Sequence, residues 1–348
     1  MKQRGVFLIG LILVGIYFFL FPRSSRGEYV LYPEKQTAFM PARDTPDRGA
    51  ETEIALRSGD LAAYVDGSLD VIRLLSAERM AADDDWSAVS GPEGLELSAA
   101  DGRILSRSAD TGYPIARNGN LFLYDGVGRV EKIGPSSGLV LWSREYLSPV
   151  TVLDAVGERT LVGLLDGRVE IVEDDGTVIF EYRPGGSGIE AIYGGALSSD
   201  AAMIALIAGL YPQRFILLQE RKNGFRPVAH HDAGTDYRRA VRVGFVRDDG
   251  EVLYESGDSV AAVNTADFRV ETLVMDGRVV DWWDGPAGND LVMMGRGSDG
   301  ASLKILTKEN LTMYDGAVPD DTVGIRQVGE RTFIVRPDGF GVLKAEIR

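Results

Sequence analysis

The sequence predicts an all-β chain folded as a β-propeller of seven blades, with eight as the alternative count, preceded by one N-terminal transmembrane helix. Three observations predict it. Residues 5–21 form an uninterrupted apolar run. Short runs rich in Val, Ile, Leu, Phe and Tyr are punctuated by Asp-Gly pairs, which occur eleven times. The four-run unit that they build recurs about every 40 residues, the sequence mark of a propeller blade.

The apolar run, GVFLIGLILVGIYFFLF, carries no charge and is flanked by Lys2 and Arg4 before it and Arg23 and Arg26 after it. As a helix at ~1.5 Å per residue it reaches roughly 25 Å, near the lower limit for crossing a bilayer. It is longer than the apolar core of a cleaved export signal, and the PRSSRGE that follows has no small-residue cleavage pattern. Residues 1–26 are therefore expected to be an uncleaved signal anchor. Large domains translocate regardless of flanking charge, which sets the N-terminus in the cytoplasm and the body outside it. In a bacterium that is the periplasm or the cell surface. Residues 27–50 contain Pro33, Pro41 and Pro46 and read as a tether, within which EYVLY (28–32) is able to form a strand.

The charge balance narrows the function classes. Against 37 Lys and Arg stand 52 Asp and Glu, a net charge of −15, and there is no cysteine. That excludes a disulfide scaffold, a thiolate zinc site and a Cys nucleophile. The acidity argues against nucleic acid, which needs a basic face.

Residues 51–348 are expected to be the propeller domain. LVGLL-DG-RVEIV (161–172) shows the hairpin form, in which Gly takes φ > 0 without strain and Asp tolerates it. Strands are expected at 112–117, 120–124, 129–133 and 139–145, and again at 150–155, 159–165, 168–172 and 177–182. Further units span 189–231, 240–274, 278–314 and 323–347. Residues 51–108 are long for one blade and would hold two short ones. The last unit lacks a fourth strand. EYVLY or residues 51–57 would complete it, closing the ring and removing an exposed edge. A β-sandwich pair or a β-solenoid would also supply short strands, but not this many units of one length.

The last strands of three units begin DGRILSRS (101–108), SGLVLWSREY (137–146) and DGTVIFEYRP (175–184), with Gly102, Gly138 and Gly176 spaced 36 and 38 residues apart. This resembles the PQQ-like repeat, whose blades carry a Gly followed by an apolar residue and a Trp near the end of the last strand. Gly138, Leu141 and Trp142 match; Phe180 falls where Trp142 falls, and Ser106 holds the position in the earlier unit. The resemblance covers roughly 95–185, and the rest is equally similar to WD40 repeats. It implies either a quinoprotein dehydrogenase or a non-enzymatic envelope propeller such as the outer-membrane-assembly lipoprotein. The chain departs from the former in length, in lacking vicinal cysteines and in having no cofactor or calcium motif. It departs from the latter in having no cysteine to lipidate.

Candidate chemistry is sparse. His230 and His231 are the only histidines, and neighbouring strand residues point to opposite faces, so they are not expected to share a metal. No G-x-S-x-G elbow supports a Ser-His-Asp triad. Ser108, Asp110 and Gly112 match only the start of an Asp-box. Asp83, Asp84 and Asp85 read as a solvated acidic turn. Trp282 and Trp283, ahead of Asp284-Gly285-Pro286, stand near the end of an inner strand, and Arg238, Arg239 and Arg242 form a basic cluster in an acidic protein. Exposed Trp and Arg favour partner binding, so Trp282, Trp283, Arg238 and Arg239 are the candidate binding residues. No catalytic residue, metal site or cofactor is expected. The expected function is a membrane-anchored interaction scaffold for envelope or membrane proteins. The alternative is a ligand-binding or enzymatic propeller, lactonase-, sialidase- or quinoprotein-like, that uses its central channel.

Overall fold

The computed structural model describes residues 29–40, 52–286 and 288–347. The apolar run and its flanks lie outside the described residues, as do residues 41–50 of the tether. Among the described residues there is no helix, and so none long and apolar enough to cross a membrane.

The 31 strands of the described residues form eight sheets. The first strand, β1 (Tyr29–Ala38), belongs to the last blade. Blade 1 is β2 (Thr52–Ser58), β3 (Leu61–Asp66) and β4 (Val71–Ser76). Blade 2 is β5 (Met80–Ala82), β6 (Trp86–Gly91), β7 (Gly94–Ala99) and β8 (Ile104–Ser108). Blade 3 is β9 (Tyr113–Arg117), β10 (Asn120–Tyr124), β11 (Arg129–Ile133) and β12 (Val140–Glu145). Blade 4 is β13 (Val150–Val156), β14 (Arg159–Leu164), β15 (Val169–Val172) and β16 (Val178–Tyr182). Blade 5 is β17 (Ile189–Leu197), β18 (Met203–Leu210), β19 (Arg214–Arg221) and β20 (Gly224–Asp232). Blade 6 is β21 (Val243–Val246), β22 (Glu251–Ser256), β23 (Ser259–Asn264) and β24 (Val270–Val274). Blade 7 is β25 (Arg278–Asp284), β26 (Leu291–Gly297), β27 (Gly300–Leu306) and β28 (Thr312–Val318). Blade 8 is β29 (Gly324–Val328), β30 (Arg331–Arg336), β31 (Gly339–Ile347) and β1.

Eight blades replace the expected seven. The extra one comes from residues 52–108, which hold two blades because blade 1 stops after three strands. Ring closure follows the expectation for EYVLY: β1 pairs antiparallel with β31 from Tyr29↔Ile347 to Ala38↔Gly339 and becomes the outer strand of blade 8. Residues 52–58 instead open blade 1.

The middle strands explain the packing. β14 and β18 are buried almost throughout, because both faces of a blade meet a neighbouring blade. The apolar clusters accordingly straddle blade boundaries. Phe333 and Phe340 of blade 8 pack with Ile54 and Leu56 of blade 1, and Leu95 and Leu97 of blade 2 with Leu121 and Leu123 of blade 3.

The glycines of the repeat do visible work at these boundaries. Gly138 has φ +69°, and a Cβ there would stand 2.0 Å from the Ser106 side chain of the preceding blade. Gly176 (φ +82°) would meet Trp142 at 3.1 Å, and Gly102 (φ +89°) would meet Arg73 at 3.4 Å. Gly138 and Gly176 therefore seat the residue at the repeat's Trp position one blade earlier. Blade 1 has no fourth strand, and there Gly102 packs instead on Arg73 of the third strand, which also donates to the Ala99 carbonyl at 2.6 Å.

Asp-Gly is mostly a turn, as expected. Asp101, Asp166 and Asp175 each accept the amide two residues on, at 2.9, 3.1 and 2.8 Å. Asp315-Gly316 is an exception inside β28. There the Tyr314 hydroxyl occupies the space of a Gly316 side chain, 2.5 Å from where a Cβ would stand.

Candidate functional site

The inner strands run the same way through the ring and give it two unlike faces. On the entry face inner strands begin and second strands turn into third; on the exit face inner strands end and third strands turn into fourth. Between the faces, the inner strands of blades 3 to 7 line a channel cavity of about 680 Å³.

Trp282 and Trp283 both border this cavity, on alternate sides of β25 as strand geometry requires. Trp282 is buried, with the Arg242 guanidinium 4.7 Å from its ring. Arg242 in turn pairs with Asp281. Trp283 is 37% exposed, with the Arg326 guanidinium 6.0 Å from its ring. Arg238 and Arg239 stand elsewhere, on the entry face ahead of β21. Arg239 makes a forked pair with Glu255 at 2.9 and 3.2 Å and lies 4.3 Å from the Tyr237 ring. Burial pushes the Glu255 carboxyl up, but Arg239 and the Arg242 amide outweigh it and hold it below its ordinary value. Arg238 covers the ring of Tyr211 and donates to its hydroxyl. The predicted binding residues thus divide between the channel and the entry rim.

The exit end of the channel is held by aspartates that reach between blades. Asp84 accepts the Ala55 amide at 2.8 Å and an Arg326 N–H at 2.6 Å, linking blade 2 to blades 1 and 8. Asp83 accepts the Gly119 amide of blade 3 at 3.2 Å. Asp154 of blade 4 accepts the Leu197 amide of blade 5 at 2.8 Å, and Asp284 of blade 7 accepts the Arg247 amide of blade 6 at 2.6 Å. The reading of Asp83 and Asp84 as a solvated turn is therefore corrected: they fasten neighbouring blades. Burial raises the carboxyls of Asp154, Asp281 and Asp284, although backbone amides and arginines oppose it. Arg247 is a further buried fastener. It donates to Glu251 at 2.7 Å, Asn310 at 2.8 Å and the Thr307 carbonyl at 2.5 Å. It opens a run of three left-handed residues, Arg247, Asp248 and Asp249, with φ +57°, +53° and +62°.

Two channel arginines have weaker partners. Arg57 and Arg117 are exposed on the inner strands β2 and β9, and Arg117 lines the cavity. Desolvation by the surrounding protein lowers both, and each is lowered further by a neighbouring arginine, Arg117 beside Arg57 and Arg242 beside Arg117. Sequence reasoning missed these residues. Their one signal is position on an inner strand, which has meaning only once blade boundaries are known.

The remaining candidates have structural settings. His230 faces Arg214 at 2.9 Å, whereas His231 contacts the Tyr254 hydroxyl at 2.9 Å and stacks on Phe215 with ring centres 5.0 Å apart. Burial lowers His231. Ser108, Asp110 and Gly112 lie in and after the end of β8, in the connection between blades 2 and 3. No group of three or more His, Asp or Glu side chains is placed to hold a metal among the described residues.

The closed ring, the four-stranded blades and the Gly138–Ser106 and Gly176–Trp142 seats define a PQQ-like and WD40-like propeller. The chain belongs to a family described as β-propeller protein, which matches residues 1–334. Among sequence relatives, an uncharacterised protein of Treponema pallidum (strain Nichols) is 26% identical over 179 residues, 51% of this chain; the chain spans about half, 48%, of that relative's length. Among solved structures, BamB from Moraxella catarrhalis is similar with a TM-score of 0.61 at 15% identity, over 90% of this chain and 100% of that one. Sqt1 from Chaetomium thermophilum, bound to the N-terminus of ribosomal protein L10, gives 0.60 at 16% identity, over 86% and 92%. At these identities the likeness is one of fold.

Proposed function

We propose that this protein is a membrane-tethered interaction scaffold of the cell envelope, its propeller held outside the cytoplasm by residues 1–26. The observation that carries this reading is the position of β1. The apolar run ends at Phe21, and the outer strand of blade 8 starts at Tyr29. A helix in the membrane would therefore grip the ring by its rim and leave both faces free for envelope or membrane proteins. Loops on a rigid frame suit such binding. The propeller Sqt1, of similar fold, was solved with a bound protein N-terminus. In the channel, Asp84, Arg326, Asp281 and Arg242 are engaged with one another across blades, which fits a frame.

Crosslinking in intact cells, followed by purification of the full-length protein from solubilised membranes, tests this. A stoichiometric envelope partner is expected, with the propeller open to protease from outside the cytoplasmic membrane. A protein that reproducibly emerges alone, or from the soluble fraction, would overturn the reading. A second reading rests on Arg57 and Arg117: two exposed arginines on inner strands would hold an anionic small ligand. A melting temperature raised by phosphate or small carboxylates, and lost in Arg117→Ala, would favour it.

A further inference from the structure

Blades 3, 4 and 5 present a continuous line of exposed apolar side chains on the entry face. Each blade gives one residue at or just before the start of its inner strand and one from the turn between its second and third strands. Blade 3 gives Tyr113 (47% exposed) and Val127 (74%), blade 4 gives Leu147 (103%) and Leu165 (45%), and blade 5 gives Ile189 (46%) and Tyr211 (55%).

The line is continuous because the supporting turns touch. Tyr113 lies 3.3 Å from where a Gly126 Cβ would stand, beside Val127. The amide of Tyr146, next to Leu147, donates to the Gly128 carbonyl at 3.0 Å. The Leu165 amide donates to the Pro149 carbonyl at 2.9 Å. A Cβ on Gly167 would come within 2.9 Å of Glu190, next to Ile189, and one on Gly188 would lie 3.6 Å from Tyr211.

Each end of the line carries the same device. The Arg79 guanidinium stands 4.7 Å from the Tyr113 ring, and the Arg238 guanidinium 5.8 Å from the Tyr211 ring. Both arginines are exposed, and neither forms an ion pair among the described residues. Two exposed arginines thus bracket an apolar line on a chain of net charge −15. Tyrosine and arginine beside aliphatic contacts are the composition of interface hot spots.

We infer that this arc, from Arg79 to Arg238, is the docking surface for a protein segment that presents aliphatic side chains between two carboxylates. This rests on the scaffold reading above and gives that scaffold its working face. Charge complementarity selects the occupant: Arg79, and Arg238 beyond its bond to the Tyr211 hydroxyl, offer N–H groups to a carboxylate, while the aliphatic line excludes water between them.

The test places a photo-crosslinking amino acid at Leu147 in the full-length protein in cells, with Val274 on the outer strand of blade 6 as control. The crosslinked peptide is sequenced, synthesised and titrated against the purified full-length protein. Adducts at Leu147 but not at Val274 are expected, to a segment with aliphatic residues flanked by Asp or Glu. Arg238→Glu should weaken the peptide about tenfold or more, and exchanging the matching carboxylate for Lys should restore binding to that variant. Adducts to phospholipid alone would overturn the inference in favour of a membrane contact. So would a segment indifferent to the charge exchange. If Leu147 gives no adduct while a stoichiometric partner still co-purifies, the scaffold reading stands and this face is not its docking site. If no partner is found by either route, both fall.

Discussion

Asp154 is pulled two ways: burial raises its carboxyl, while the amides of Leu197 and Ala155 and the Arg117 guanidinium lower it, and burial prevails. A carboxyl whose folded-state value lies above its unfolded one keeps its proton longer in the native state. Its contribution to stability is then complete below the ordinary carboxylate value near about 4 and is lost as pH rises through the folded-state value. Asp154→Asn keeps an oxygen for the Leu197 amide and carries no charge. Its stability relative to the parent protein should therefore improve as pH is raised from about 4 and level off once the folded-state value is passed. Melting curves of both proteins over that range check this, and a difference that is flat with pH would refute it. Asp281 and Asp284 share the direction of shift, whereas His231, lowered by burial, acts the opposite way and is common to both proteins. None of this was legible from the residues alone. An aspartate after a strand reads the same whether water or the next blade's amide meets it, which is why Asp83 and Asp84 were misread.

The strand units were legible where the chain repeats itself. Blades 3 and 4 fall within a residue or two of their expected bounds, because Gly138 and Gly176 mark the same turn in each and Trp142 and Phe180 mark the same seat. Blade 1 was not, because it lacks the fourth strand that carries the signature, and Gly102 of the next blade packs on Arg73 of its third strand instead. The turn glycines lend themselves to a paired experiment. Gly138 and Gly157 both have positive φ, +69° and +56°, but a Cβ at Gly157 meets nothing within 4 Å. Ala at either site bears the left-handed strain of about 1–2 kcal/mol. Only Gly138→Ala also drives a Cβ into Ser106, for a total loss of about 3 kcal/mol or more. Denaturant unfolding of the two variants checks the order. Adding Ser106→Gly to Gly138→Ala should recover the excess and leave only the strain.

At the level of the whole ring, β1 supplies what the C-terminal unit lacks. Its Tyr29 hydroxyl donates to Asp290 of blade 7, so the strand fastens a second blade as well as its own. Replacing residues 29–38 with a flexible Gly-Ser segment should leave the strands of blades 1 to 7 in place and expose β31 as a bare edge. The expected result is a markedly lower melting temperature and concentration-dependent self-association, since unpaired edges recruit other strands. Light scattering and calorimetry check it. A synthetic peptide of residues 29–38 should reverse both effects, and a variant that melts like the parent protein would refute the role of β1 as the closing strand.

The pairing of Tyr29 with Ile347 also sets the timing of maturation. A ribosome makes β1 before any other strand of the ring and β31 after all of them. Blades 1 to 7 assemble from contiguous sequence as each emerges, whereas β1 must wait, unpaired, until β31 has been made. A chain cut short before Gly339 can never close. The ring itself therefore registers whether β31 was made, and a chain without it announces itself by a free first strand and an open ring.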